Sequence, residues 1–91
     1  MNFVFEFDEA KSSTNKEKHG IDFIEAQVLW SDDDMVIGSA RPVEEPRWLA
    51  VGKIKGKLWT ACITMRDKSI RIISVRRARS GEEKIYESQR V

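Results

Sequence analysis

The amino-acid sequence predicts an α+β domain in the order β-α-α-β-β-β-β-α, with a mainly antiparallel meander sheet, two N-terminal helices and one C-terminal helix. Three observations carry that expectation. Helix-like segments fall within the first 30 residues, whereas strand-like segments follow one another from Met35 to Arg77. The later strands are separated by Lys55-Gly56 and Asp67-Lys68-Ser69, gaps of hairpin length and too short for parallel crossovers. The chain has 91 residues, 41% of them apolar, which suits one domain over 1–91 around a single core.

The elements follow in order. Phe3-Val4-Phe5-Glu6-Phe7 reads as a short strand. Asp8 caps a helix running to about Lys18, with Glu9 favourable in its first turn and Gly20 as its C′ residue. That helix has almost no apolar side chains, so it packs weakly or faces a ligand. Lys11, Asn15 and Lys18 fall on one stripe of it, with His19 alongside. A second helix begins at Asp22, with Glu25 in capping-box position. Phe23, Ala26, Val28, Leu29 and Trp30 make it the core helix, and Ser31-Asp32-Asp33-Asp34 ends it. Strands are expected at Met35–Gly38, Arg47–Ile54, Lys57–Arg66 and Ile70–Arg77, with a loop at Arg41–Pro46 bracketed by the two prolines. Ser80 caps a final helix that carries Glu82, Glu83 and Tyr86.

The net charge of +1 hides a polarity: residues 1–40 hold three Lys/Arg against nine Asp/Glu, and residues 41–91 hold thirteen against six. A basic C-terminal part points to nucleic acid or an acidic partner; neutralisation of one half by the other is the plain alternative. No apolar run approaches the roughly 20 residues of a membrane span, and the N-terminus lacks a signal-peptide pattern, so no membrane is expected and the location is cytoplasmic. Cys62 is the only cysteine, which leaves no internal disulfide and no cysteine-based zinc site; its apolar setting suggests a small buried hydrophobe. Asp32-Asp33-Asp34 is the only carboxylate cluster, and consecutive residues do not converge on one oxygen-lined cage, so neither a metal nor another cofactor is expected.

The stretch Arg66–Arg79 is the most informative. A β-branched strand that ends in Arg76, Arg77 and Arg79 carries more guanidinium than a buried strand tolerates without partners. Strict alternation puts Arg71 and Arg77 on one face with Ile73 and Val75, and Arg76 on the other with Ile72 and Ser74. On that reading Arg71 and Arg76 line one surface only if a bulge intervenes. Arg76, with Arg66 and Arg47 from neighbouring strands, is therefore the expected phosphate-binding set, because guanidinium forks suit bidentate phosphate recognition. Arg71 is assigned to structure or to a partner. The alternative for the whole set is salt bridging to Glu44, Glu45 or the C-terminal helix.

Several segments together resemble a known family. They are Phe7-Asp8 with Lys11, Asn15 and Lys18-His19-Gly20-Ile21; Phe23 with Glu25-Ala26; Glu45, Arg47 and Gly52; Thr64 with Arg66; Arg71-Ile72-Ile73-Ser74 with Arg76 and Ala78; and Glu83 with Tyr86. This ordered set is similar to BrnT-type toxins of bacterial type II toxin–antitoxin systems, whose fold is RelE-like. Two positions depart from the pattern: Phe7 stands where the family usually has Trp, and Pro46 separates the acidic pair from Arg47. The resemblance implies a ribonuclease that cleaves messenger RNA and arrests translation. It also implies a cognate ribbon-helix-helix antitoxin (BrnA-like), a hetero-oligomer with two antitoxin chains, and operator DNA bound only through the antitoxin.

The residue types fit metal-independent endoribonuclease chemistry. RNA supplies its own 2′-OH nucleophile, so the protein needs a base, an acid and cations around the phosphorus. The expected catalytic set is His19, Arg47, Arg66, Arg76 and Glu45, with Lys18, Lys11, Arg77 and Tyr86 as RNA contacts. His19 is the only side chain that titrates near neutrality without a shift; its alternative role is to satisfy the last helix carbonyls. Tyr86 either stacks on a base or, the favoured reading, anchors the last helix. A non-catalytic toxin-like module that binds an antitoxin or nucleic acid is the competing function.

Overall fold

A computed structural model describes residues 3–40 and 46–89. Five strands form one mixed sheet in the spatial order β1-β5-β4-β3-β2: β1 (Val4–Glu6), β2 (Val36–Ser39), β3 (Trp48–Ile54), β4 (Lys57–Arg66) and β5 (Ser69–Arg77). β2 to β5 form an antiparallel meander, and β1 adds to β5 in parallel. The α+β class and the mostly antiparallel sheet are as expected. Helix α1 spans Glu9–His19 and helix α2 spans Ser80–Ser88.

The second helical segment, Glu25–Ser31, is a 3-10 helix and not the expected α-helix. Its start is the reciprocal arrangement read from the sequence. The Glu25 N–H donates to Asp22 Oδ1 at 2.7 Å, and Glu25 Oε1 accepts from the Asp22 N–H at 2.9 Å. Its buried residues, Ala26 and Leu29, are three apart, the spacing a three-residue turn aligns. The segment lies so close to the sheet that a Cβ on Gly52 would stand 2.9 Å from Leu29 Cδ2. A side chain at position 52 would force Leu29 to shift.

Helix α1 shows how a polar helix can still dock. Asp8 caps it, with Oδ1 accepting from the Lys11 N–H at 3.0 Å. Its buried residues are Ser12 and Asn15. Ser12 Oγ accepts from the Phe23 N–H at 2.9 Å. Asn15 donates to the carbonyls of Ile21 and Val75 (2.8 and 2.9 Å) and accepts from the Val75 N–H (3.1 Å). β1 pairs with β5 only at residues 69–71. Farther along, the Asn15 amide fills the strand's open edge, which answers the backbone hydrogen-bonding demand of a buried strand.

The main core lies between this layer and one sheet face, where Ile21, Phe23, Ala26 and Leu29 meet Ala61, Ile63, Ile72 and Val75. On the opposite face α2 packs through Tyr86 against Val51 of β3 and Leu58 of β4. A bulge decides what else that second face carries. Cys62 pairs with Ser74 but Ile63 pairs with Ile72, so Ile73 is an extra residue in β5. The strict alternation read from the sequence is thereby corrected. Ile72 and Val75 share the core face, and Arg71 and Arg76 share the other.

Candidate functional site

The second face is a lattice of hydroxyls and guanidinium groups. Moving along β4, Thr60 faces Arg76, Cys62 faces Ser74, Thr64 faces Arg71 and Arg66 faces Ser69. Glu6 on β1 extends the Thr64–Arg71 row. Arg47 immediately precedes β3; continuing the Trp48–Ile63 pairing by one residue sets it beside Thr64. Arg66 and Arg76 thus belong to one face, and the register continued past the start of β3 turns Arg47 towards it. Arg71 joins them, against expectation, because of the bulge.

Arg76 is held firmly. Its two terminal nitrogens donate to Glu82 Oε1 and Oε2, each at 2.8 Å. Glu82 Oε1 also accepts from Thr60 Oγ1 and from the Arg79 N–H, again at 2.8 Å. The Arg76 guanidinium, helped by the Arg79 N–H and the Thr60 hydroxyl, prevails over partial burial and holds the Glu82 carboxyl down at about 2. The same pairing raises the Arg76 pKa. Glu82 was not singled out from the sequence. Its signal was the three-residue spacing from Arg79, which, and not Ser80, is the N-cap of α2.

Arg71 is held loosely by comparison. Among the described residues its ionic contact is to Glu6 Oε1 at 3.3 Å, between side chains about a third exposed. Arg77 is on the core-side face, where its Nε donates to the Leu58 carbonyl at 3.2 Å and its guanidinium lies 5.4 Å from the centre of the Trp59 ring. Arg77 is thus separated by the sheet from Arg66, Arg71 and Arg76.

His19, Lys18 and Lys11 stand on α1, which packs on the edge of β5 and not over the arginine face. All three are exposed. They line a shallow groove of ≈ 320 Å³ whose far wall includes Ser74, a residue of the arginine face. The structure therefore assembles two neighbouring cationic groups, one at the sheet edge and one on its second face, with Ser74 between them.

Tyr86 is 1% exposed, and its hydroxyl donates to Asp32 Oδ2 at 2.8 Å. It anchors α2, and in this conformation its ring offers no face to a base. Asp32 Oδ2 also accepts from the Lys53 N–H at 2.8 Å, on the β3 edge beyond the end of β2. Burial works to raise the Asp32 pKa, but these bonds and that from the Asp34 N–H prevail and lower it. The Asp32 carboxylate is thus structural. Glu45 lies outside the described residues. Cys62 is half-buried, less than expected, because it belongs to the open face.

Chemically, the second face and its edge can bind a chain of phosphates, and they bring an imidazole within the same neighbourhood. A family model described as "Ribonuclease toxin, BrnT, of type II toxin-antitoxin system" matches residues 7–82. No curated protein matches the chain.

Proposed function

The chain belongs to the BrnT family of type II toxin–antitoxin ribonuclease toxins, and from that premise we propose that it is a metal-independent endoribonuclease that cleaves messenger RNA by 2′-OH attack and so arrests translation. The observation that carries this reading is the grouping of Arg66 and Arg76 on one sheet face, with Arg47 turned towards it, beside the groove of Lys11, Lys18 and His19. Positive charge on a fixed scaffold stabilises the phosphorane, and such preorganised electrostatics is commonly the largest catalytic contribution. His19 moves a proton at the ribose or at the leaving oxygen, with Glu45 as the second proton-transfer group. Lys11 and Lys18 hold the flanking backbone. Helices preceding an antiparallel meander support a RelE-like fold. The antitoxin that a type II system implies is taken to be of the ribbon-helix-helix type, with two of its chains holding the toxin in the cytoplasm and supplying the contact to operator DNA.

The test uses the purified chain and an unstructured RNA in excess EDTA. The expected products end in 2′,3′-cyclic phosphate. His19→Ala is expected to lower the rate by roughly 100- to 10,000-fold, and Arg66→Ala by roughly 100- to 1,000-fold, with circular dichroism unchanged. Full activity in both variants refutes the assignment. One observation favours the competing, non-catalytic module: both terminal nitrogens of Arg76 are engaged by Glu82. Harmless expression of the soluble, folded chain without its antitoxin decides for the module.

A further inference from the structure

We infer that Thr64 and Arg71, opposite it on β5, form a second phosphate-binding subsite for the RNA backbone, apart from the scissile phosphate that the catalytic arginines hold. The inference rests on the ribonuclease reading above and adds to it the place where a neighbouring phosphodiester is held.

Thr64 is 1% exposed, and among the described residues its Oγ1 is the one buried side-chain polar atom without a hydrogen-bond partner. A hydroxyl left in that state is costly, and native structures keep few of them. Its surroundings suit an anion. Arg71 is directly opposite on β5, Arg66 is two residues along the same face of β4, and the β3–β4 register continued by one residue brings Arg47 to the other side. Without the extra residue Ile73, alternation would carry Arg71 to the core face, so the bulge is what sets Arg71 beside Thr64 on this face.

The subsite can open. Among the described residues Arg71 is tied to Glu6 by one contact of 3.3 Å between partly exposed side chains, the kind of pair that solvent leaves weak. An entering phosphate replaces Glu6 as the partner of Arg71 and accepts the Thr64 hydroxyl proton in a charge-assisted bond. Thr60 and Thr64 are four residues apart on β4, a rise of about 13 Å. The Thr64–Arg71 pair and Arg76 therefore take different phosphates of one strand. Contacts of this type position the chain and carry no base preference.

The experiment measures binding of a non-cleavable 2′-deoxy analogue of the RNA, alongside cleavage kinetics and thermal midpoints. Thr64→Val keeps the shape and removes the hydroxyl. It is expected to leave the midpoint unchanged or raise it, while weakening the analogue roughly tenfold and raising KM; Thr64→Ser restores affinity. Arg71→Ala is expected to weaken binding and to reduce the slope of log affinity against log salt by about 0.7, the loss of one single-strand phosphate contact. Unchanged affinity, salt slope and KM in both variants, with cleavage intact, overturn the subsite alone. If the unaltered chain neither binds nor cleaves RNA, the ribonuclease reading falls and the subsite falls with it.

Discussion

Thr60 and Thr64 occupy equivalent positions on one face of β4, and each is 1% exposed. Thr60 donates to Glu82, which also holds Arg76 and the first turn of α2. Thr64 Oγ1 has no hydrogen-bond partner among the described residues, and the arginine opposite it has a longer, more exposed ionic contact. The two ends of one strand therefore divide the work. At the Thr60 end polar groups are spent on fastening the last helix to a small domain. At the Thr64 end one buried hydroxyl is left without a partner, at some cost to stability, which is the usual signature of a surface kept for a ligand.

The sharpest way to break this contrast is to remove Arg76. Arg76→Ala leaves Glu82 part-buried without its cation and is expected to destabilise the fold by about 2–3 kcal/mol, less than a fully buried pair because both partners keep some solvent. Urea unfolding measures it, and a double-mutant cycle with Glu82→Ala is expected to return a coupling above about 1 kcal/mol. Arg71→Ala, at the other end, is expected to change stability by less than about 0.5 kcal/mol. Equal losses at the two ends would remove the distinction.

Acid offers the next largest effect. The folded pKa of Glu82 is about 2, below its ordinary 4.5. A depressed carboxyl stabilises the fold above its unfolded pKa, so its contribution is complete above about pH 5 and disappears as pH falls towards 2. After allowance for solvent screening it amounts to about 2 kcal/mol. Glu82→Gln is expected to flatten the stability profile across that window. A residual slope is expected from Asp32, whose pKa is lowered too. A profile as steep in the variant as in the parent contradicts the anchoring role.

How much of this was legible is best seen residue by residue. The span Lys57–Arg66 was readable to its ends, because a glycine turn on one side and a charged turn on the other bound it. The bulge was not. Ile72 and Ile73 are identical side chains, so the pattern holds no sign of which one faces the core, and a one-residue error there moves Arg71 across the sheet. Asn15 was seen on a stripe with Lys11 and Lys18 and read with them. Its work is instead to bond Val75, sixty residues away, which no local pattern reports. The arginine-rich character of the site was visible from residue type alone, whereas the partner of Arg76 depended on where α2 came to rest.

The finest test sets the two threonines directly against each other, through the same substitution. Thr60→Val removes a satisfied donor from Glu82 and is expected to cost about 1 kcal/mol. Thr64→Val removes a hydroxyl that has no partner and supplies a methyl group in its place, so the expected change is a gain of about 0.5 kcal/mol. The opposite signs matter more than the sizes, since both sites are equally buried and flanked by arginine. If both variants lose stability alike, the Thr64 hydroxyl is satisfied in solution by an ordered water, and its idleness is no argument for a ligand. If Thr64→Val gains stability and loses RNA together, the hydroxyl serves binding at the expense of folding, and the open end of β4 is the functional one.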